Sequence, residues 1–80
     1  MKPSDLNPAQ FGAFVRATRK AQGLRQEELA GAANVGLRFI VDLEAGKATI
    51  QLGKALKVLY ALGCTVTLGS PATLPKEDRP

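Results

Sequence analysis

The chain has 80 residues, 45% of them hydrophobic and 5% aromatic, with 11 basic residues against 7 acidic ones for a net charge of +4. One domain is expected at this length, with a core of Leu, Ala, Val and Ile, and a chain this short buries only about 60–65% of its unfolded surface, so dimerisation is expected as a support. Histidine is absent and cysteine occurs once, at Cys64, which removes the usual general base, the commonest zinc ligand and any intrachain disulfide.

No nucleophile–base pair, metal cluster or phosphate loop is visible in the sequence, so no enzyme, cofactor or metal site is expected. Within residues 70–80, Lys76 and Arg79 cancel Glu77 and Asp78. The positive excess therefore lies in residues 1–69 and draws that part toward polyanions. No run approaches about 18 apolar residues and the first ten residues have no apolar core, so a cytoplasmic protein without membrane contact is expected.

The first helix is expected to start at Pro8. Asn7 is a preferred cap, Pro suits the first helical position, and Gln10 stands where the second arm of a capping box belongs. Phe11, Phe14, Val15 and Thr18 recur at helical spacing, Arg16, Arg19 and Lys20 suit the C-terminal half, and Gly23 is the stop. A second helix is predicted over residues 26–33, with Leu29, Ala30 and Ala33 inward. Arg25 stands where a Ser, Thr or Asp cap is usual, which predicts a weak start costing about 0.5–2 kcal/mol, with a phosphate contact from Arg25 as the alternative gain. Asn34 tolerates the left-handed conformation and predicts a sharp turn.

A third helix is predicted over residues 37–44, with Ile40 and Leu43 inward and Leu37, Arg38, Val41 and Asp42 outward. Gly36 precedes it, and Ala45, Gly46 and Lys47 follow as its cap. A fourth covers residues 52–62, with Leu52, Ala55, Leu56, Leu59 and Leu62 on one face and Lys54 and Lys57 on the solvated side. Cys64, Thr65, Val66, Thr67 and Leu68 alternate in the manner of a strand. Only one strand is visible, and its backbone groups need partners. A two-fold axis that pairs it with its own copy is one solution, and an arm lying on its own helices is the other. Residues 70–80 are expected to be a disordered tail after a single domain over residues 1–69.

Two short helices with a tight turn and an outward face on the second fit a helix-turn-helix, whose second helix enters the major groove of double-stranded DNA. Arg38 can donate two hydrogen bonds to guanine, and Leu37 and Val41 can meet thymine methyls or a protein partner. Asp42 can accept from cytosine N4 or pair with Arg38 one turn back.

The run Arg19-Lys20-Ala21-Gln22-Gly23-Leu24-Arg25-Gln26-Glu27-Glu28-Leu29-Ala30, followed by Asn34-Val35-Gly36 and Ile40-Val41-Asp42-Leu43-Glu44-Ala45-Gly46-Lys47, resembles the Xre (lambda-repressor-like) helix-turn-helix family. Within it, the run from Arg38 through Gly63 and the short strand after it are most similar to HipB-type antitoxins. The resemblance implies a mainly α, four-helix fold with a C-terminal strand paired across a homodimer. It implies that Gln26 and Lys47 contact the DNA backbone, that Leu37, Arg38 and Asp42 read bases, and that Phe39 lies near phosphate or a thymine methyl; the residues themselves favour Phe39 packed against the second helix over a base contact. It further implies an ion pair between Arg19 and Glu44, operator repression, and a HipA-like serine/threonine kinase toxin as partner. A stand-alone repressor, or an interaction module that inhibits an enzyme and barely touches DNA, remains the alternative.

Overall fold

The computed structural model describes residues 6–70. Four helices follow in order, α1 Pro8–Ala21, α2 Gln26–Ala33, α3 Leu37–Glu44 and α4 Leu52–Ala61. α3 packs on both α1 and α2, and α4 packs on α2. The shared core contains Val15, Leu29, Ile40, Leu43, Val58 and Leu59, with the small residues Ala30, Ala33 and Ala55 where helices come close.

The helix starts differ in how they satisfy their free N–H groups. Asn7 Oδ1 accepts the Gln10 N–H at 2.9 Å, and Pro8 fills the first helical position. Gln10 Oε1 has no hydrogen-bond partner among the described residues, so one arm of the predicted box forms. At α2 the opposite arm forms. Arginine offers no acceptor, but the Glu28 carboxylate accepts the Arg25 N–H at 2.8 Å and lies 3.5 Å from Arg25 Nε. Those contacts, the backbone one first, hold the Glu28 carboxyl below its ordinary range. The Arg25 side chain caps no N–H, as expected, and the Glu28 contact offsets part of that loss. The sequence cue was Glu28 three residues on, rather than the residue at the cap itself.

The turn between α2 and α3 is sharp because Asn34 takes φ 58 and ψ 47, with the Val35 N–H returning to the Ala30 carbonyl at 3.0 Å. α3 closes on Gly46 at φ 85, where the Gly46 N–H reaches the Leu43 carbonyl and the Lys47 N–H reaches the Asp42 carbonyl. This is the bond pattern by which a left-handed residue satisfies the last carbonyls of a helix.

Two buried stripes depart from expectation. On α1 the inward residues are Gly12, Val15 and Arg19, while Phe14 is 53% exposed. On α4 they are Ala55, Val58, Leu59 and Leu62, while Leu52 is 69% exposed. On α1 this is a phase shift of about one residue, which a run with apolar side chains on several faces invites; on α4 Ala55, Leu59 and Leu62 lie inward as expected, with Leu56 packed beside them, and the differences are Val58 in the core and Leu52 out of it. α4 also ends at Ala61 rather than Leu62, which caps it.

The segment Cys64, Thr65, Val66, Thr67 and Leu68, expected as a strand paired with a second copy, runs without a ladder in the single chain. No strand occurs among the described residues, since one extended segment has no ladder partner. The segment runs beside α1, where Phe11, Phe14, Leu59, Cys64 and Val66 line a shallow groove of about 230 Å³. Residues 71–80, which hold most of the predicted tail, lie outside the described residues. No helix among the described residues is long and apolar enough to cross a membrane.

Candidate nucleic-acid interface

α3 is fixed from behind by three different means. Ile40 and Leu43 are buried in the core. Gly12 of α1 meets the helix at its main chain: a Cβ there would fall on the Leu43 carbonyl oxygen and within 2.9 Å of the Glu44 carbonyl oxygen. Polar contacts at its end complete the anchorage. Arg19 Nε donates to Glu44 Oε2 at 2.6 Å and Arg19 Nη2 to Glu44 Oε1 at 3.0 Å, while Arg19 Nη1 donates to the Leu24 carbonyl at 2.7 Å. Gln26 Nε2 donates to Glu44 Oε1 at 3.1 Å. One glutamate thus joins α1, the first residue of α2 and the last residue of α3.

Both members of the pair are buried, with side-chain exposures of 8% for Arg19 and 3% for Glu44. Burial alone would raise the Glu44 carboxyl, but the hydrogen bonds from Arg19 and then Gln26 outweigh it and hold the group below its ordinary value. The Glu44 hydrogen bond raises Arg19 further above its already high value, against the opposing effect of burial. The site's one buried anion is therefore neutralised before any polyanion approaches.

The outward face carries Leu37, 49% exposed, and Arg38, with a side-chain exposure of 83%. Val41 and Asp42 follow one turn later and are half-buried. Asp42 faces two cations: Oδ1 lies 3.2 Å from Arg38 Nε and Oδ2 lies 3.6 Å from Lys47 Nζ. Arg25 is exposed at the α2 start, and Gln26 is half-buried by its bond to Glu44. The structure thus brings Arg25, Gln26, Leu37, Arg38, Val41, Asp42 and Lys47 to the α2–α3 side. Phe39 is different, since it packs against the core, with Lys54 Nζ 5.9 Å from its ring centroid.

Two residues of this surface escaped the sequence reading. Arg16 lines a depression with Gln26, Val41, Glu44 and Ala45. Its cue was available, because it sits three residues before Arg19 and therefore on a neighbouring strip of α1. Lys54 is exposed, as expected, but nothing local to it announces the Phe39 ring. Among the described residues, no group of three or more His, Cys, Asp or Glu side chains can hold a metal ion.

A helix-turn-helix family model matches residues 15–68 of the chain. Over 64 residues the chain is 64% identical to the uncharacterised HTH-type transcriptional regulator y4mF of Sinorhizobium fredii, covering 80% of this chain and 84% of that protein. Among solved structures, a HipB–O4 20mer complex superposes with a TM-score of 0.75 at 25% identity, covering 81% of this chain and 92% of the other. A HipB–O1–O2 complex gives 0.74 at 25% identity, covering 81% and 94%.

Proposed function

The chain belongs to the helix-turn-helix family whose model its residues 15–68 match, and from that premise we propose that it is a sequence-specific transcriptional repressor that binds its operator as a dimer. The same reading makes it the antitoxin of a HipA-like serine/threonine kinase, acting in the cytoplasm on the nucleoid. The observation that carries the DNA-binding part is α3 itself. Its rear is fixed by Ile40, Leu43, Gly12 and the Glu44 hub, while Arg38 stands exposed at the front, paired with Asp42 on the same helix. A helix held in this way can enter a groove about as wide as itself without the domain following.

In this reading Arg38 pairs with guanine and Leu37 and Val41 meet thymine methyls. Arg25, Gln26 and Lys47 contact the backbone, with Phe39 behind them as support. Arg38→Ala should cost about 1–3 kcal/mol in operator binding and leave binding to unrelated duplexes nearly unchanged. Fluorescence anisotropy on both duplexes measures this, and an unchanged operator affinity would remove the groove assignment.

The dimer is supported by residues 64–68, extended and without a ladder, and by the exposed apolar side chains of Phe14, Val66 and Leu68 in the same region. Pairing this segment about a two-fold axis satisfies its backbone groups and covers the patch. Residues 1–69 then form the DNA-binding and dimerisation unit, with residues 70–80 as a tail. Truncation after Gly63 should give monomers in sedimentation velocity, whereas dimers that persist would assign the interface to other residues. The kinase partner is supported by likeness to HipB structures. Co-expression with a kinase encoded beside this reading frame, followed by co-purification, tests it.

A further inference from the structure

α3 carries its exposed charges the wrong way round for a helix. A helix N-terminus favours anions and a C-terminus favours cations, and an i,i+4 ion pair is better with the acid first. Here Arg38 is in the first turn and Asp42 in the last, with no acid in the first turn and no base in the last to offset them. The arrangement works against the stability of α3, and a local rule broken on the outward face points to a task there.

The geometry shows what the pair does. Asp42 touches Arg38 through Nε, which leaves the two terminal amino groups of the guanidinium as a forward pair of donors, the pair that spans guanine O6 and N7. The other carboxylate oxygen faces Lys47 Nζ, and the Asp42 carbonyl accepts the Lys47 N–H at 3.0 Å. The positive φ of Gly46 brings the chain back to make this second link. Asp42 therefore ties the base-reading arginine to the loop cation, with an oxygen on each.

We propose that Asp42 is a positioning residue that sets selectivity: it aligns Arg38 and restrains Arg38 and Lys47 from indiscriminate phosphate contact, and it does not itself read a base. The inference rests on the assignment of α3 as the recognition helix. Arg38 and Lys47 bind an arbitrary duplex through its phosphates only by leaving the carboxylate. On the operator Arg38 keeps Nε on Asp42 while its terminal groups meet guanine.

The test uses the full chain and duplexes that it selects from a random library. Asp42→Asn keeps the shape and removes the charge. It should tighten binding to unrelated duplexes, steepen the salt dependence there by roughly one unit of log K per log salt for each cation released, and lower the ratio of selected to unrelated affinity by about three- to tenfold. Asp42→Glu should restore most of that ratio. In the Arg38→Ala background, Asp42→Asn should lower the ratio by much less than in the parent, because only the restraint on Lys47 is left to lose. If Asp42→Asn leaves unrelated binding and salt slope unchanged and erases preference at one G·C pair, Asp42 reads that pair and the proposal is wrong. Failure of the recognition-helix assignment gives a separate result, in which the selection enriches no sequence or Arg38→Ala leaves the enriched sequence bound as before.

Discussion

Arg19→Met should destabilise the domain by about 3–5 kcal/mol, measured by urea unfolding, because it leaves the Glu44 carboxylate buried without its cation. A chain of this length has roughly 4–12 kcal/mol of stability in total, so the variant sits near the edge of folding. The loss belongs to the unpaired charge and not to the contact as such. Adding Glu44→Gln to Arg19→Met removes the stranded anion and keeps a partner for Gln26, so the double variant should be more stable than the single one. Equal stabilities would mean that water reaches Glu44 and that the pair is an ordinary surface one. The same pair sets the acid limb of stability. The folded Glu44 value lies below that of the unfolded chain, so its contribution is complete above about pH 4.3 and is lost as the pH falls through the lower folded value. Glu44→Gln should flatten that limb of the stability profile.

Gly12→Ala is the second large effect. The added methyl meets two main-chain carbonyl oxygens, those of Leu43 and Glu44, and neither can rotate away as a side chain can. Overpacking of this kind costs about 1–3 kcal/mol, and the backbone contact places Gly12→Ala at the upper end. At about 4–8 °C per kcal/mol for a domain of this size, the melting temperature should fall by roughly 12–24 °C. Gly31→Ala supplies the internal comparison. It lies within α2 with nothing within 4 Å of the added Cβ, and the better helix propensity of alanine should raise stability by about 0.5–1 kcal/mol. A Gly12 variant that melts beside the parent would show that α1 and α3 can separate freely at this point.

Local chemistry made much of this fold legible in advance. Asn34 and Gly46 announced their turns because few residues accept a positive φ, and α2 and α3 lie where their caps and apolar spacing placed them. The family resemblance pointed to the Arg19–Glu44 pair, which lies far apart in sequence and which no periodicity would have found. What stayed hidden depended on tertiary contact. Lys54 has no local reason to lie over Phe39, and Gly12 looks like a weak spot in a helix until α3 is laid across it. The proposed pairing of residues 64–68 with a second copy is of another kind: alternation suggested a strand, but a ladder between two chains belongs to no single one of them, and none forms among the described residues.

The contact between Gly12 and the Leu43 and Glu44 carbonyls has a consequence beyond stability. Because α1 grips α3 at these peptide groups and through the Arg19–Glu44 pair, with Ile40 and Leu43 turned inward, Leu37 and Arg38 take little part in seating the helix. They can be exchanged with little disturbance to the fold beneath them. If Leu37 and Arg38 read bases as proposed, descendants of one such gene can drift to new target sequences by surface substitutions alone, and several of them can share a cell without answering to each other's promoters.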